Sequence, residues 1–355
     1  MLVVVTPVAG TAPQRLGGIM ADADRARRAV RAVVLINLVG QVLIVLTGGL
    51  VRLTGSGLGC PSWPQCVPGS YTPVLRQPEG WHKYVEFGNR LMSPVLSVVA
   101  VACLVAVVAY LRAHPTPAYR RSLLILGAVP LAGVLAQALI GGWIVVAELN
   151  PTVVAFHFLL SMALVAGSTM LARRVYTVTA SPGAAPGAAP GTAPSTAPDP
   201  AVDPAGDPAV ARALGVRPEV RWLALAVGIA AVVVLTLGTV VTGSGPHSGD
   251  ADTPNRFGFD PRTVSWLHAD AVWLFVGLVV GLAFALRLAS GPAAARRWMR
   301  ALLVVTLAQG AMGYVQYLTD LPVALVAAHM LGASLLVIAT TGTVDATLER
   351  SAPSA

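Results

Sequence analysis

Eight apolar runs divide the chain, and they constrain its fold more than any other feature of the sequence. A helix of about 20 apolar residues spans the ~30 Å hydrocarbon core of a bilayer, so the runs predict an all-α integral membrane protein with eight transmembrane helices. A hydrophobic share of 55% and a charged share of only 11% also differ from those of a soluble domain of this length. The predicted spans are Ala32–Arg52, Phe87–Arg112, Ser122–Val146, Val153–Arg173, Arg221–Thr242, Val264–Leu286, Met299–Leu318 and Pro322–Thr343.

Part of the chain occurs twice, since residues 137–164 align without a gap with residues 309–336. Each copy is an apolar run, a short polar break and a second apolar run that carries one histidine about two turns in. This pattern predicts a helical hairpin with an imidazole inside the membrane. The matched pairs are Gln137 and Gln309, Gly141 and Gly313, Glu148 and Asp320, Leu149 and Leu321, Ala155 and Ala327, and His157 and His329.

The duplication extends to the first and fifth runs, which both end in TGSG, at Thr54–Gly57 and Thr242–Gly245. Each half enters the membrane from the same side, which predicts two tandem four-helix bundles related by a pseudo-two-fold axis along the membrane normal. The Ala/Pro/Gly-rich tract between them cannot bury a core and is interpreted as a linker. The predicted domains are an N-terminal cytoplasmic segment 1–28, an N-terminal half 29–176, the linker 177–220, a C-terminal half 221–345 and a cytoplasmic tail 346–355.

The placement of the basic residues explains the net charge of +8. Only six of the 24 Lys and Arg residues fall on one side of the predicted membrane. The positive-inside rule therefore places both termini in the cytoplasm of a multi-pass plasma-membrane protein that contacts lipid and needs no nucleic acid as a partner. The six outer residues are Arg52, Arg76, Lys83, Arg90, Arg256 and Arg262.

Three histidines lie within the spans, where an ionisable side chain indicates function by default. His157, His268 and His329 fall in the fourth, sixth and eighth runs, and Asn89 holds the matching place in the second. Two neutral imidazoles on facing helices, His268 and His329, are typical of bis-histidine ligation of a haem iron. Zinc is disfavoured because no third or fourth ligand accompanies them. The alternative is that each histidine is a hydrogen-bonded packing residue.

Glu86 opens the second run and allows two interpretations. It is either a solvated carboxylate paired with Arg90 at i+4, or a partly desolvated carboxylate beside a substrate, able to accept protons or stabilise positive charge. If the helix extends outward, His82, Glu86 and Asn89 share one face. Outer arginines such as Arg52 and Arg90 are candidates to pair with haem propionates, or they extend to the interface without a ligand.

The cysteines Cys60 and Cys66 fall in the first outer loop, whereas Cys103 lies in the second run. A disulfide between the two outer cysteines suits the oxidising side of the membrane. It would either pin the loop or take part in redox chemistry near a cofactor. Cys103 is interpreted as a small buried apolar residue.

The stretch GGLVRLTGSGLGCPSWPQC, residues 48–66, the EFGNR motif that opens the second run and the three membrane histidines together resemble the haem A synthase family. The resemblance covers about Arg28 to Thr343 apart from the linker. It implies an oxidoreductase that converts the C8 methyl of haem O to a formyl group by two successive hydroxylations, giving haem A for terminal oxidases.

The resemblance also implies roles for individual residues. Haem b, with its iron held by His268 and His329, would be the cofactor of the second half. His157, Asn89 and Arg90 would bind the substrate haem O in the first half, with His157 as an iron ligand. Glu86 matches the essential acidic residue of the family, and Cys60 with Cys66 matches its outer-loop pair. The implied pathway partner is a haem O synthase, a protohaem farnesyltransferase.

Two departures from the family pattern affect these expectations. Asn89 stands where the family often has a histidine, which leaves the substrate iron one evident protein ligand unless His82 substitutes. The second outer loop lacks a cysteine pair. The rival functions are a two-haem electron carrier, which needs paired ligands in both halves, and a duplicated 4+4 transporter, which needs a midplane polar site. The electron acceptor and the oligomeric state are not determined by the sequence, which is compatible with a homo-oligomer.

Overall fold

A computed structural model describes residues 12–114, 117–180, 216–250, 252, 254–289 and 291–349, with side chains from residue 24 onward except those of residues 117 and 118. Most of the predicted linker 177–220 lies outside the described residues, as do parts of the predicted N-terminal segment 1–28 and tail 346–355. The described part of the chain is helical, apart from the loops that join the helices.

Eight helices are long and apolar enough to cross a membrane, as judged from length and composition. All eight predicted spans are confirmed as helices, most of which extend beyond the predicted ends, the first by 20 residues at its start, and the architecture is that of a multi-pass membrane protein. The helices are α1 Ala12–Leu53, α2 His82–Ala113, α3 Pro117–Val146, α4 Pro151–Thr179, α5 Pro218–Ser244, α6 Pro261–Leu288, α7 Ala293–Leu318 and α8 Val323–Leu348.

The helices pack in two rings. In the first ring α1 contacts α2, α2 contacts α3, α3 contacts α4 and α4 returns to α1; in the second, α5 to α8 contact each other in the same cyclic order. In each ring the second and fourth helices are therefore diagonal across the bundle. The rings meet through α4 with α8, α1 with α8, and α4 with α5.

Both repeated hairpins turn in the same way. Glu148 and Leu149 have φ of 50° and 59°, and Asp320 and Leu321 both have φ of 57°. Non-glycine residues rarely adopt positive φ, and here the conformation lets the Leu149 amide donate to the Ile144 carbonyl at 2.9 Å, and Leu321 to Gln316 at 2.8 Å. The predicted apolar run, polar break and second apolar run are confirmed as helix, tight turn and helix.

The outer loops of the two halves are joined to each other. The Gly57 amide donates to the Gly249 carbonyl at 2.8 Å, and Arg52 Nε donates to the His247 carbonyl at 2.7 Å. The segment around Trp81–Val85 follows the first outer loop. Because α2 begins at His82, that segment is the outer end of the helix itself.

The inner ends of the bundles are tightly packed. The core of the second bundle is built around Phe275, Leu282 and Leu302, each 1% exposed or less. The first bundle has an equivalent core that includes Cys103, which is fully buried as expected. A third cluster, with Val165 and Val337, lies where the two bundles meet. These cores fix the inner halves of the helices and leave the outer halves to form the site.

Candidate functional site

The outer halves of the bundles are open inside, at the level of the membrane histidines. Along four helices, all described over this region, no residue is buried over two turns or more. These stretches run from Glu86 to Leu96 in α2, from Val153 to Met162 in α4, from the start of α6 to Phe275, and from the start of α8 to Ser334. Helical interiors normally pack at crystal density, so we interpret these stretches as the walls of a space next to the histidines of each bundle.

His268 and His329 border the space in the second bundle. They belong to the diagonal helices α6 and α8, and the two rings are close enough to interact electrostatically. The Nδ1 atom of each ring is buried without a hydrogen-bond partner, and His268 lies near the carbonyl group of Val234 on α5. A glycine lies against each ring. A Cβ added to Gly238 would lie 3.3 Å from Cε1 of His268, and one added to Gly313 would lie 3.7 Å from Cε1 of His329.

The first bundle places His157 and Asn89 in the same relation, on the diagonal helices α4 and α2. Nδ1 of His157 is also buried without a partner. Gly48 lies against Asn89, since a Cβ added to Gly48 would lie 3.9 Å from the Asn89 side-chain amide. Oδ1 of Asn89 accepts a 2.8 Å hydrogen bond from the Thr47 hydroxyl. Asn89 thus stands where the second bundle has His268.

Two glutamines that were recognised only as repeat matches hold the histidine backbones. Gln137 Nε2 donates to the His157 carbonyl at 3.0 Å, and Gln309 Nε2 donates to the His329 carbonyl at 3.1 Å. In both bundles a Cβ on the matched glycine, Gly141 or Gly313, would lie 3.7 Å from Cε1 of the histidine. His157 and His329 therefore share these two contacts.

Glu86 is enclosed by the disulfide loop. Its side chain is 7% exposed, so the interpretation of a solvated carboxylate is wrong, although the predicted i,i+4 pairing with Arg90 is confirmed. Oε1 accepts from Arg90 Nη2 at 2.6 Å and from Nε at 3.0 Å, and Oε2 accepts from the Cys60 amide at 2.6 Å. The carboxylate therefore links α2 to the loop.

Arg90 has no N–H group left over. Besides its two bonds to Glu86, Nη1 donates to the carbonyls of Ser62 and Gln65 at 2.9 and 3.2 Å, and Nη2 donates to the Cys60 carbonyl at 2.7 Å. A guanidinium has five N–H donors, and all five are used within the loop. Binding of a propionate by Arg90 would require the loop to give up one of these bonds.

The disulfide loop covers the first bundle. Cys60 and Cys66 form a disulfide, and both are fully buried. The indole of Trp63 occupies the position that a Cβ on Gly142 would take, one residue from the glycine that backs His157. The loop therefore rests on α3 directly above the candidate site. The second bundle has no such loop among its described residues.

The other predicted polar residues lie around the rim. His82 Nδ1 lies 2.9 Å from the Ser56 hydroxyl at the start of α2; seven residues of helix place it about 10 Å outward from Asn89. Arg52 joins the outer loops, and Arg256 donates to the Pro246 carbonyl at 3.1 Å. Arg262 stacks on Trp266, with Cζ 4.8 Å from the ring centroid.

These residues fit a haem in the second bundle. Two imidazoles on diagonal helices border a region of low burial, and each has a ring nitrogen that no protein group engages, which leaves it available to a metal. No group of three or more His, Cys, Asp or Glu in the described ranges could hold a metal ion. Two protein ligands are what a haem iron takes, whereas a structural zinc takes four.

Comparison with known proteins agrees with this arrangement. A profile of the cytochrome oxidase assembly protein family (COX15-CtaA) matches residues 31–341, which cover both bundles. The chain belongs to this family. The motifs that resemble the family extend from the first helix to the last, as family membership explains.

Several similar proteins are named heme A synthase. The one from Geobacillus thermodenitrificans is 35% identical over 108 residues, 30% of this chain and 31% of that protein. The one from Lysinibacillus sphaericus (strain C3-41) is 36% identical over 141 residues, 39% of this chain and 43% of that protein. The aligned region thus spans less than half the length of these relatives.

Proposed function

We propose that the protein is a haem A synthase, which oxidises the C8 methyl group of haem O to a formyl group by two successive hydroxylations. The observation that carries the proposal is the pair of open spaces, each bordered by a diagonal pair of residues at equivalent positions: His268 with His329, and Asn89 with His157. Membership of the cytochrome oxidase assembly protein family supports it.

The second bundle holds haem b between His268 and His329 in this proposal. When bound, the haem supplies one-electron redox chemistry. The protein contributes two neutral imidazoles, backed by Gly238 and Gly313, and the Gln309 amide fixes the backbone at His329. With both histidines bound to its iron, the haem would serve to relay electrons rather than to oxidise substrate.

The first bundle binds the substrate haem O, with His157 as the iron ligand. Asn89 is smaller than histidine, and its amide is held by Thr47, so the face opposite His157 stays open. An open face suits oxidation of the substrate and distinguishes this bundle from its neighbour. The apolar space, exposed to lipid between helices, suits an isoprenoid tail, and the polar outer rim suits propionates.

Glu86 is the proposed catalytic acid–base group. Oε1 already accepts two hydrogen bonds from Arg90, whereas Oε2 accepts one from Cys60, so Oε2 has capacity to take a proton. Arg90 would act on the substrate through the position of Glu86, by holding the carboxylate and the loop above it.

The proposed topology has two tandem four-helix bundles related by a pseudo-two-fold axis, joined by the linker 177–220, with both termini in the cytoplasm. The repeated hairpin geometry and the matching contact order of the helices support it. A haem O synthase in the same membrane would supply the substrate. When water supplies the oxygen, each hydroxylation removes two electrons from the substrate carbon and releases two protons, and a membrane electron acceptor takes up the electrons.

The decisive experiment is expression in a host that makes haem O but no haem A, followed by haem extraction and chromatography. Haem A should appear with the intact chain and disappear in Glu86→Gln and His157→Ala, while His114→Ala, a histidine at the inner end of α2, keeps it. In His329→Ala the low-spin bis-histidine spectrum should be lost. Haem b bound without any haem A, with the pathway intact, would favour an electron carrier instead.

A further inference from the structure

A buried ionic cluster joins the two bundles at their inner ends. Arg173 Nε lies 2.9 Å from Asp345 Oδ2, and these side chains are 9% and 8% exposed. Arg173 Nη2 also reaches Glu349 at 3.1 Å, and Arg174 Nη2 reaches the other oxygen of Asp345 at 3.1 Å. Both positive charges belong to α4, and both negative charges belong to the end of α8.

Arg173 and Asp345 occupy equivalent positions in the two halves. They are 172 residues apart, the same separation that relates His157 to His329. Because α4 packs against α8, its own counterpart, a residue at the centre of this contact faces its repeat equivalent. At this position the two halves carry opposite charges.

At its centre, the apolar part of the contact carries the same residue in both halves. Val165 and Val337 are also repeat equivalents, and both are buried in the cluster between the bundles, with exposures of 0% and 6%. Two identical valines would pack equally well if two N-terminal halves or two C-terminal halves came together. This valine pair therefore supplies association without selecting a partner.

The charged residues, by contrast, do select which half can pack here. Two N-terminal halves in this geometry would bring Arg173 against a second Arg173, and two C-terminal halves would bring Asp345 against a second Asp345, where these side chains are less than one-tenth exposed. A buried charge without a counterion is strongly destabilising. Only an N-terminal half against a C-terminal half neutralises the cluster.

We infer that the Arg173–Asp345 pair is a partner-selecting contact, which commits the α4 face of the N-terminal half to the C-terminal half of the same chain. The cluster is held from both sides: Arg174 Nη1 donates to Ser122 at 2.7 Å, and Cζ of Arg173 lies 5.9 Å from the centroid of the Trp298 ring. This inference does not depend on haem chemistry.

The test uses the full chain with a protease site inserted between residues 180 and 216 and a tag on each half. After cleavage in detergent, the halves of the wild type and of Arg287→Asp, an exposed arginine at the inner end of α6, should co-elute. In Arg173→Asp the co-eluting fraction should fall by about tenfold or more. The charge swap, with Arg173→Asp and Asp345→Arg together, should recover most of it.

Single variants that do not accumulate are tested by co-expression. Full chains with Arg173→Asp and with Asp345→Arg, differently tagged, restore an Arg–Asp pair at this position only by pairing in trans, so they should co-purify in a clearly larger fraction than two differently tagged wild-type chains. Equal co-elution of the halves in Arg173→Asp and wild type would overturn the inference. Failure of both the charge swap and the co-expressed pair to restore association would overturn it as well.

Discussion

Arg90→Met should open the disulfide loop without changing the helices, and the structure gives the size of the effect. Arg90 makes two hydrogen bonds to Glu86 and three to loop carbonyls, all within 3.2 Å. Removing it leaves the Glu86 carboxylate, 7% exposed, with only the Cys60 amide as a partner. Removing one member of a buried ion pair costs about 3–5 kcal/mol.

The free-energy cost of the unpaired carboxylate destabilises only the closed form of the loop, because Glu86 reaches water once the loop opens. Both sulfur atoms of the disulfide are in fully buried residues, so a reductant can attack only the open form. When reclosing is faster than attack, the rate of reduction follows the population of the open form. At about 1.4 kcal/mol per tenfold, the disulfide of Arg90→Met should be reduced roughly 10²–10³ times faster.

The assay is reduction by a water-soluble phosphine in detergent, followed by maleimide trapping, in a Cys103→Ala background that removes the remaining thiol. Arg76→Met, an exposed arginine of the same loop, is the matched control and should react at the wild-type rate. Adding Glu86→Gln to Arg90→Met should bring the rate part of the way back, because no unpaired carboxylate remains. A rate for Arg90→Met within about threefold of wild type, under 1 kcal/mol, would refute the argument.

Three further predictions concern other contacts. Gly142→Val should displace the Trp63 indole, raise its exposure to a collisional quencher such as acrylamide and speed disulfide reduction, with Gly88→Val, which has open space beside it, as the control. Gly313→Val should push the ring of His329 and weaken haem retention by about 10–100-fold, measured as haem bound per protein. Burial raises the pKa of Glu349 against the neighbouring arginines, so its contribution to stability is present in acid and lost as pH rises. At alkaline pH the melting temperature of Glu349→Gln should therefore be equal to or higher than that of wild type, and its advantage should grow as the pH is raised. A melting temperature of the variant that drops below that of wild type as the pH is raised would contradict this.

Much of the fold could be predicted because its signals are local. A run of apolar residues long enough for a bilayer specifies a helix and its direction whatever surrounds it. The repeat also predicted the two hairpins, since the break after Glu148 and the break after Asp320 lie at matched places. The histidines were recognised for the same reason: an ionisable group within a span is visible in the sequence alone.

The environment of Glu86 and Arg90 could not be predicted in this way. Their i,i+4 pairing follows from helical periodicity, but the three loop carbonyls that Arg90 binds come from residues 25 to 30 positions earlier. Only the fold of the loop brings those carbonyls together. This is why the sequence suggested Arg90 as a propionate ligand, whereas in the structure all five of its N–H groups bind Glu86 and the loop carbonyls.

The sequence by itself determined a membrane protein of eight helices, a duplication, and three histidines at depth, because hydrophobic length, periodicity and repetition are properties of neighbouring residues. The tertiary structure alone decided which helices and which side chains face each other. It placed α6 diagonally to α8, so that His268 and His329 border one space, and it brought Arg173 against Asp345 across 172 residues. Such meetings depend on how helices far apart in the chain pack together, and no local pattern contains that information.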